Sequence, residues 1–344
     1  MVTSAYTRKF SDINACDVIS VGGKNAILGD MYSKLSPLGI NVPDGFAVTS
    51  FAFEHFLTAN VLHQRLHELM RQLDRDNFSN LEEIGISARS MILAGTIPYY
   101  MIVAIREAYD NLCNSEGNKV SVAVRSSASA ENLPLASFVG LHESFLNIDD
   151  ADALLDAIKK CFASLYTDRA IKYREDNHFT HAKLFFSVGV QKMVQSGCGY
   201  SGMIIELDDS GDMLDISAVK GFCKDILKIT SPDHFLVFKP ALEKGKNPIL
   251  RKRSGRKKEK PAQGREMNAE EPVLPEFPNY VLTDEEIIQL AKWASIIHDH
   301  YAKSMDIEWT KDGNTGRLYI VRARPRREQL CSTGSEKKLL VGSC

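Results

Sequence analysis

The chain has 344 residues, of which 44% are hydrophobic and 25% are charged, and its formal net charge is -2 at pH 7. This composition is typical of a globular protein with a sizeable core and gives no electrostatic reason to expect nucleic acid as a partner. The seven cysteines form no CxxC pair and no zinc-like spacing with histidine, which indicates reduced thiols. No apolar run predicts a leader or a membrane span, so a cytoplasmic protein without a membrane partner is expected.

The first part of the chain is predicted to be largely helical. Gly22 and Gly23 precede a helix that is expected to end near Gly39. Apolar side chains recur in it at every fourth position, at Ile27, Met31 and Leu35. A second helical region is predicted from residue 50 to about residue 113. Lys24, at the start of the first helix, could hold phosphate with help from the helix amino terminus, although Gly-Gly-Lys alone is a weak signal.

Residues 121–148, SVAVRSSASAENLPLASFVGLHESFLNI, run from an apolar strand into hydroxyl-rich turns. Alternating valines predict a strand that ends at Arg125. Hydroxyls follow beside backbone N–H groups, at Ser126, Ser127, Ser129 and Ser137. A guanidinium can donate two parallel hydrogen bonds to phosphate oxygens, so a phosphate-binding loop is one interpretation. The alternative is a structural arginine that pairs with Glu131 or Glu143.

Helices and strands alternate in the remainder, without tandem repeats. Residues 151–173 are predicted to form one amphipathic helix, whereas residues 184–194 and 202–207 read as buried strands. The composition changes over residues 244–279, in which residues 251–260 include seven basic residues without interleaved aromatic side chains. A mobile surface insertion is favoured there over a nucleic-acid-binding arm. Thr283 and Glu286 form a predicted capping box at the start of a late helix.

The sequence MDIEW places Asp306 and Glu308 two residues apart on an extended segment. Because side chains alternate along a strand, both carboxylates should lie on one face. Two oxygen donors on one face suit Mg²⁺ that bridges ATP phosphates. The alternative is a pair of acids on an exposed strand without a ligand.

The block around Arg125 resembles VRSSATAED…ASFAGQ…ETFLN of the phosphoenolpyruvate synthase (pyruvate, water dikinase) and pyruvate phosphate dikinase family. Further segments resemble this family in the same order, at Val21–Asp30, Asn41–Thr49, Cys161–Arg174, Ser187–Val194, Pro232–Pro240 and Leu282–Pro325. The last of these includes LYIVRARP. The resemblance covers about residues 7–327 and concerns the amino-terminal ATP-binding domain.

This resemblance implies an α+β fold of the ATP-grasp type, with two lobes and the nucleotide between them. The expected lobes are residues 1–195, with a helical insertion, and residues 196–330, with the basic insertion at 244–279, followed by a tail at 331–344. The implied function is ATP-dependent phosphorylation of a histidine on a separate domain, on the way from pyruvate to phosphoenolpyruvate. No histidine segment of the family's TxGGxxCH type occurs here, so the histidine and pyruvate-binding barrel domains are expected on another chain.

The resemblance also implies roles for individual residues. Lys24 and Arg125 are expected to contact the phosphates as catalytic groups, and Asp306 and Glu308 to bind Mg²⁺. The other expected nucleotide contacts are Ser126, Ser127, Gln191, Lys192, Met193 and Arg322. For Met193, packing in the core is an open alternative.

Two departures from the family pattern bear on activity. Where the family has GLGE, residues 220–223 read Lys-Gly-Phe-Cys, so the carboxylate is replaced by Cys223. The family's glutamine in LYILQARPE is Arg322 here, and the acid after the proline is Arg326. Added positive charge can hold phosphate but repels Mg²⁺. The alternatives are therefore the ATP-binding subunit of a split dikinase such as phenylphosphate synthase, or a degenerate nucleotide-binding module.

Overall fold

The computed structural model describes residues 5–117, 119–129, 144–177, 185–195, 199–207, 211–221, 232–255 and 280–326. Within these ranges the chain forms helices and two antiparallel sheets, which confirms the predicted α+β class. Each sheet is associated with its own cluster of buried apolar side chains.

The first sheet has five strands in the order β1-β2-β5-β3-β4. The strands are β1 (Thr7–Lys9), β2 (Gly45–Val48), β3 (Val122–Ala128), β4 (Ser144–Ile148) and β5 (Phe186–Lys192). One face of this sheet carries Val122, Val124 and Val190, which belong to the first core cluster. Alternation places the residues between them on the opposite face, where small side chains prevail.

The first core cluster is completed by six helices. They are α2 (Ser50–Ala59), α3 (Leu62–Arg71), α4 (Leu81–Ala94), α5 (Tyr99–Glu116), α6 (Ala151–Ser164) and α7 (Asp168–Asp176). The helical region predicted after residue 50 is confirmed. The single helix predicted over 151–173 is wrong, because Thr167 caps a new helix by accepting a hydrogen bond from the Ala170 amide.

The second sheet has six strands in the order β11-β10-β6-β7-β8-β9. They are β6 (Tyr200–Glu206), β7 (Met213–Lys220), β8 (Asp233–Phe238), β9 (Ile249–Arg253), β10 (Met305–Lys311) and β11 (Leu318–Pro325). A short α8 (Lys239–Glu243) follows β8, and α9 (Asp284–Tyr301) buries an apolar stripe in the second core cluster. The capping box of Thr283 and Glu286 is confirmed.

Strand β9 corrects part of the predicted basic insertion. Residues 249–253 pair with β8 as an edge strand, since basic side chains are well tolerated at a sheet edge. Residues 256–279 lie outside the described residues, as does the tail after residue 326. The domain boundary near residue 195 stays a prediction.

Helix α1 (Val18–Asp30) lies between the two sheets and contacts β3, β5 and β11. It is kinked at Gly22, whose φ and ψ of 75° and 163° are not helical. A Cβ atom at Gly22 would lie 2.3 Å from Ser127 Oγ, and one at Gly189 would lie 2.2 Å from Asn25 Oδ1. Glycine at both positions therefore permits the close approach of α1 to the first sheet.

The carboxyl end of α1 is fixed to α9 by a buried carboxylate. Asp30 is 1% exposed and lies 2.6 Å from Nε2 of His300 and 3.1 Å from the hydroxyl of Tyr301, while Lys34 adds an ion pair at 2.7 Å. Burial raises the pKa of Asp30, but hydrogen bonds from Lys34, His300 and Tyr301 outweigh it and hold the pKa below its ordinary 3.8. The carboxylate is thus ionised at neutral pH.

Among the described residues, no single helix has the length and apolarity needed to cross a membrane. Helices α4 and α5 reach that criterion only as a pair, bent by 81°. Both helices place side chains in the first core cluster, including Ile92 and Ile105.

We predict that Gly22→Ala lowers the free energy of unfolding by about 3 kcal/mol, because a methyl group collides with Ser127 at a positive φ. Urea denaturation measures the change. The matched control is Gly39→Ala, where φ is 88° and nothing lies within 4 Å of the added Cβ. That control should cost only about 1 kcal/mol, from the backbone alone. Equal losses in the two variants would contradict the close approach.

We predict that Asp30→Asn destabilises the protein by about 2 kcal/mol at pH 7. The folded-state pKa of Asp30 lies below the unfolded value, so its stabilisation is complete above about pH 4 and is lost as the pH falls through the folded-state pKa. Urea titrations at several pH values should show the wild type and the variant converging in acid. The exposed Asp156→Asn serves as the control, and a pH-independent difference would argue against the ionised carboxylate.

Candidate functional site

The kink of α1 brings the backbone around Lys24 against β3. The Lys24 and Asn25 amides donate to Ser127 Oγ over 3.1 Å and 3.3 Å. Ser127 thus caps, from a distant strand, the helical segment that restarts after Gly22. Both N–H groups donate hydrogen bonds within the protein. The amino terminus of the helix therefore has fewer N–H donors for a ligand than the sequence implies.

The Lys24 ammonium reaches the same strand, and its Nζ donates to the Ser126 carbonyl over 3.2 Å. Lys24 is partly buried beside β3. Lys24 therefore lies close to the strand that carries Arg125. Contact of Lys24 with a nucleotide stays a prediction.

Strand β3 extends three residues beyond the predicted end at Arg125. Pairing with β5 continues through Ala128, because β5 supplies a matching antiparallel partner. Ser126 and Ser127 are therefore buried strand residues and not turn residues, and the Ser126 hydroxyl has no hydrogen-bond partner. Residues 130–143, which include Glu131, Ser137, His142 and Glu143, lie outside the described residues, and so do the alternative pairings of Arg125 with the two glutamates.

Arg125 lies where the two sheets meet. Its Nη1 donates over 3.4 Å to Gln191 Oε1 on the neighbouring strand β5, and over 3.4 Å to the Val321 carbonyl on β11. Val321 has no register partner on β10, because the pairing shifts between Glu308 and Trp309. A bulge of this kind frees a carbonyl from the ladder. Arg125 uses that carbonyl to join the first sheet to the second.

The acids predicted to share a face do so. Met305, Ile307 and Trp309 point into the second core cluster, which leaves Asp306 and Glu308 together on the opposite face of β10. Each carboxylate is paired with an arginine of β11, at 2.8 Å between Glu308 Oε1 and Arg322 Nη1, and at 3.0 Å between Asp306 Oδ2 and Arg324 Nη2. On this face of the sheet, the acidic side chains of β10 therefore lie opposite the basic side chains of β11.

Magnesium binding by Asp306 and Glu308 stays a prediction, and the present donor set fits it poorly. Both carboxylates already accept hydrogen bonds from guanidinium groups. No group of three or more His, Cys, Asp or Glu side chains suited to a metal occurs within the described residues. A cation that binds Glu308 has to displace or tolerate Arg322.

The three residues predicted to lead to an adenine pocket diverge. Gln191 is buried on the face of Arg125, and its Nε2 donates to the Pro43 carbonyl over 3.4 Å. Lys192, the next residue of β5, lies on the other face and forms an ion pair with Glu116 of α5. Met193 is buried. The structure thus brings Gln191, but not Lys192, to Arg125, and their nucleotide contacts stay predictions.

Sequence reasoning missed three side chains that organise this region. Asn25 Nδ2 donates to Ser187 Oγ over 3.1 Å and fixes α1 to β5. Arg324 holds Asp306 through both its Nε and its Nη2. Strand alternation in LYIVRARP was a usable signal for Arg324, since it places that residue on the face of Arg322. Cys223, the other departure from the family pattern, lies outside the described residues.

These elements define an α+β protein in which Arg125 of the first sheet contacts the backbone of β11 in the second sheet, one residue before Arg322. The chain belongs to the family described as "Pyruvate phosphate dikinase, AMP/ATP-binding domain", whose model matches residues 18–339. Membership confirms the resemblance found in the sequence and identifies this chain as an ATP-binding domain of that family.

The chain is similar to curated phosphoenolpyruvate synthases. It is 44% identical over 339 residues to that of Synechocystis sp., covering 93% of this chain and 41% of the relative. Identity is 42% to the Aquifex aeolicus protein, with 90% and 38% covered, and 41% to the Escherichia coli protein, with 92% and 41% covered. The chain thus spans about two fifths of the length of these relatives. A crystal structure from Pyrococcus horikoshii Ot3 overlays with a TM-score of 0.31 at 15% identity, covering 71% of this chain and 97% of that chain, which assigns no fold.

We predict that Ser127→Ala costs about 1 kcal/mol of stability, because it removes the acceptor that caps the Lys24 segment. Ser126→Ala is the matched control, since the buried Ser126 hydroxyl has no hydrogen-bond partner and its removal should be nearly neutral. Chemical denaturation of both variants distinguishes the roles. A loss confined to Ser126→Ala would reverse this assignment.

Proposed function

We propose that this chain is the ATP-binding part of a phosphoenolpyruvate synthase-like dikinase. The observation that carries the proposal is the hydrogen bond of Arg125 to the Val321 carbonyl, which joins the first sheet to β11 one residue before Arg322, while Lys24 of α1 reaches the strand of Arg125. Family membership supports ATP as the ligand. The proposed nucleotide site lies at this junction.

We further propose that the fold is of the ATP-grasp type and that the two sheets are its lobes. Two antiparallel sheets with separate core clusters support this interpretation. A nucleotide held between them would contact β3 and β5 on one side and β10 and β11 on the other. Such a position excludes water from the phosphates and strengthens their attraction to fixed positive charges.

The proposed chemistry is positioning and charge neutralisation. Lys24 offers an ammonium, and Arg125 offers a planar guanidinium that Gln191 orients. Guanidinium groups match phosphate oxygens in geometry and in charge. By holding the phosphates in line with an incoming nucleophile, these groups would lower the barrier to phosphoryl transfer without covalent participation.

The acceptor is proposed to be a histidine on a separate domain or chain, which then passes the phosphoryl group to pyruvate. The complete reaction would convert pyruvate, ATP and water to phosphoenolpyruvate, AMP and phosphate. The relatives are named phosphoenolpyruvate synthases and extend beyond the region matched here. That additional length is where we place the histidine and pyruvate-binding domains, and the expected setting is the cytoplasm.

Magnesium, if bound, would be held by Asp306 and Glu308 and would supply positive charge that stabilises the phosphates. Both carboxylates pair with arginines in this structure, so no step of the proposed transfer is assigned to the metal.

We predict that Arg125→Ala weakens ATP binding by roughly tenfold to hundredfold, the value of one or more charged hydrogen bonds. Isothermal titration calorimetry measures the dissociation constant. Arg125→Lys should retain part of the affinity, because it keeps the charge and loses the fork. Arg106→Ala on α5, where the arginine pairs with Asp152, is the control and should bind like the wild type. Unchanged affinity in Arg125→Ala, with thermal melting showing a folded protein, would remove Arg125 from the site.

A further inference from the structure

We infer that Arg322 takes the place of a divalent cation, so that guanidinium groups neutralise the nucleotide phosphates and binding does not depend on Mg²⁺. This inference rests on the proposed nucleotide site and names the residue that sets its metal dependence. It follows from the disagreement between the expected magnesium ligands and the contacts that they make.

Glu308 is already paired with Arg322. Its Oε1 accepts from Arg322 Nη1 at 2.8 Å, and the two residues are register partners on adjacent strands. Their side chains are 24% and 26% exposed, so the pair is shielded in part from solvent. Opposite charges in direct cross-strand register stabilise each other. The pair is therefore a built feature of the sheet.

Arg322 would repel a cation at Glu308. A cation bound to Glu308 would lie close to the positively charged guanidinium of Arg322, which is 2.8 Å from the Glu308 carboxylate. Partial burial weakens solvent screening of this like-charge contact. The cation would also have to break the existing pair. Both effects lower the affinity of Glu308 for Mg²⁺.

Arg322 retains a hydrogen-bond donor that its ion pair does not use. Arg324 holds Asp306 through two nitrogens, at 3.1 Å for Nε and 3.0 Å for Nη2. Arg322 uses Nη1 for Glu308, and its Nε is buried without a hydrogen-bond partner. A buried donor without an acceptor is costly, and a phosphate oxygen is a suitable acceptor for a guanidinium. Arg322 is thus the less committed of the two arginines.

The charges on β10 and β11 compensate each other. Asp306 and Glu308 are balanced by Arg324 and Arg322, so these four side chains together carry no net charge before a nucleotide binds. If residue 322 were neutral, Glu308 would be unbalanced, and the carboxylate pair would attract a divalent cation. The residue at position 322 therefore decides whether a guanidinium or a metal ion faces the phosphates.

The test is calorimetric titration with ATP in excess EDTA and again in MgCl₂, for the wild type and for Arg322→Gln. The wild type should bind with dissociation constants that agree within about threefold in the two buffers. Arg322→Gln should bind at least about tenfold more weakly in EDTA than in MgCl₂. The exposed Arg317→Gln, just before β11, is the matched control and should behave like the wild type.

A second readout needs no turnover. Electron paramagnetic resonance of added Mn²⁺ without nucleotide should detect no binding to the wild type at this site and new binding to Arg322→Gln. Arg322→Lys, which keeps the charge but loses the guanidinium fork, should still bind ATP in EDTA, with part of the wild-type affinity. Specific Mn²⁺ binding by the wild type that is lost in Asp306→Asn would overturn the inference.

The outcomes separate the two proposals. ATP binding by the wild type only in MgCl₂ overturns the role of Arg322 and leaves the proposed function standing. Metal-independent binding that persists in Arg322→Gln, with no Mn²⁺ bound, also overturns that role. No binding of millimolar ATP in either buffer by folded wild-type protein overturns the proposed nucleotide site itself.

Discussion

The close approach of α1 to the first sheet is the constraint on which the remaining geometry depends. Because Gly22 and Gly189 carry no side chain, Asn25 and the Lys24 backbone can reach Ser187 and Ser127. The other end of α1 is held to α9 by Asp30. One kinked helix therefore contacts strands of both sheets, and Arg125 joins the same two sheets through the Val321 carbonyl.

That contact also depends on an irregularity in β11. A regular ladder would pair Val321 with β10, whereas the observed shift leaves its carbonyl outside the register. The bulge thus connects a purely local feature of one strand to the packing of two sheets. It also lies next to Arg322, so the arginine that faces Glu308 and the carbonyl that faces Arg125 are set by the same backbone feature.

Local rules predicted much of this fold and less of the site. Periodicity identified the helices after residue 50, and strand alternation placed Asp306 and Glu308 on one face. Alternation applies equally to β11, but the pairing of β10 with β11 is tertiary information, so the arginine partners were not foreseen. Similarly, Ser127 looked like a loop hydroxyl because its acceptor role requires α1, which is distant in sequence. Family resemblance supplied roles that no local pattern carries.

The arrangement has a consequence for how the site can act. A guanidinium held by a carboxylate on the adjacent strand is already oriented when a phosphate arrives, so little side-chain entropy remains to be lost on binding. A metal ion, in contrast, enters with the nucleotide and leaves with it. In the proposed site, the pairing of Arg322 with Glu308 would replace a diffusible charge by a permanent one. Because such a charge would stay in the proposed site when the product departs, release of the product would not be assisted by the departure of a metal ion.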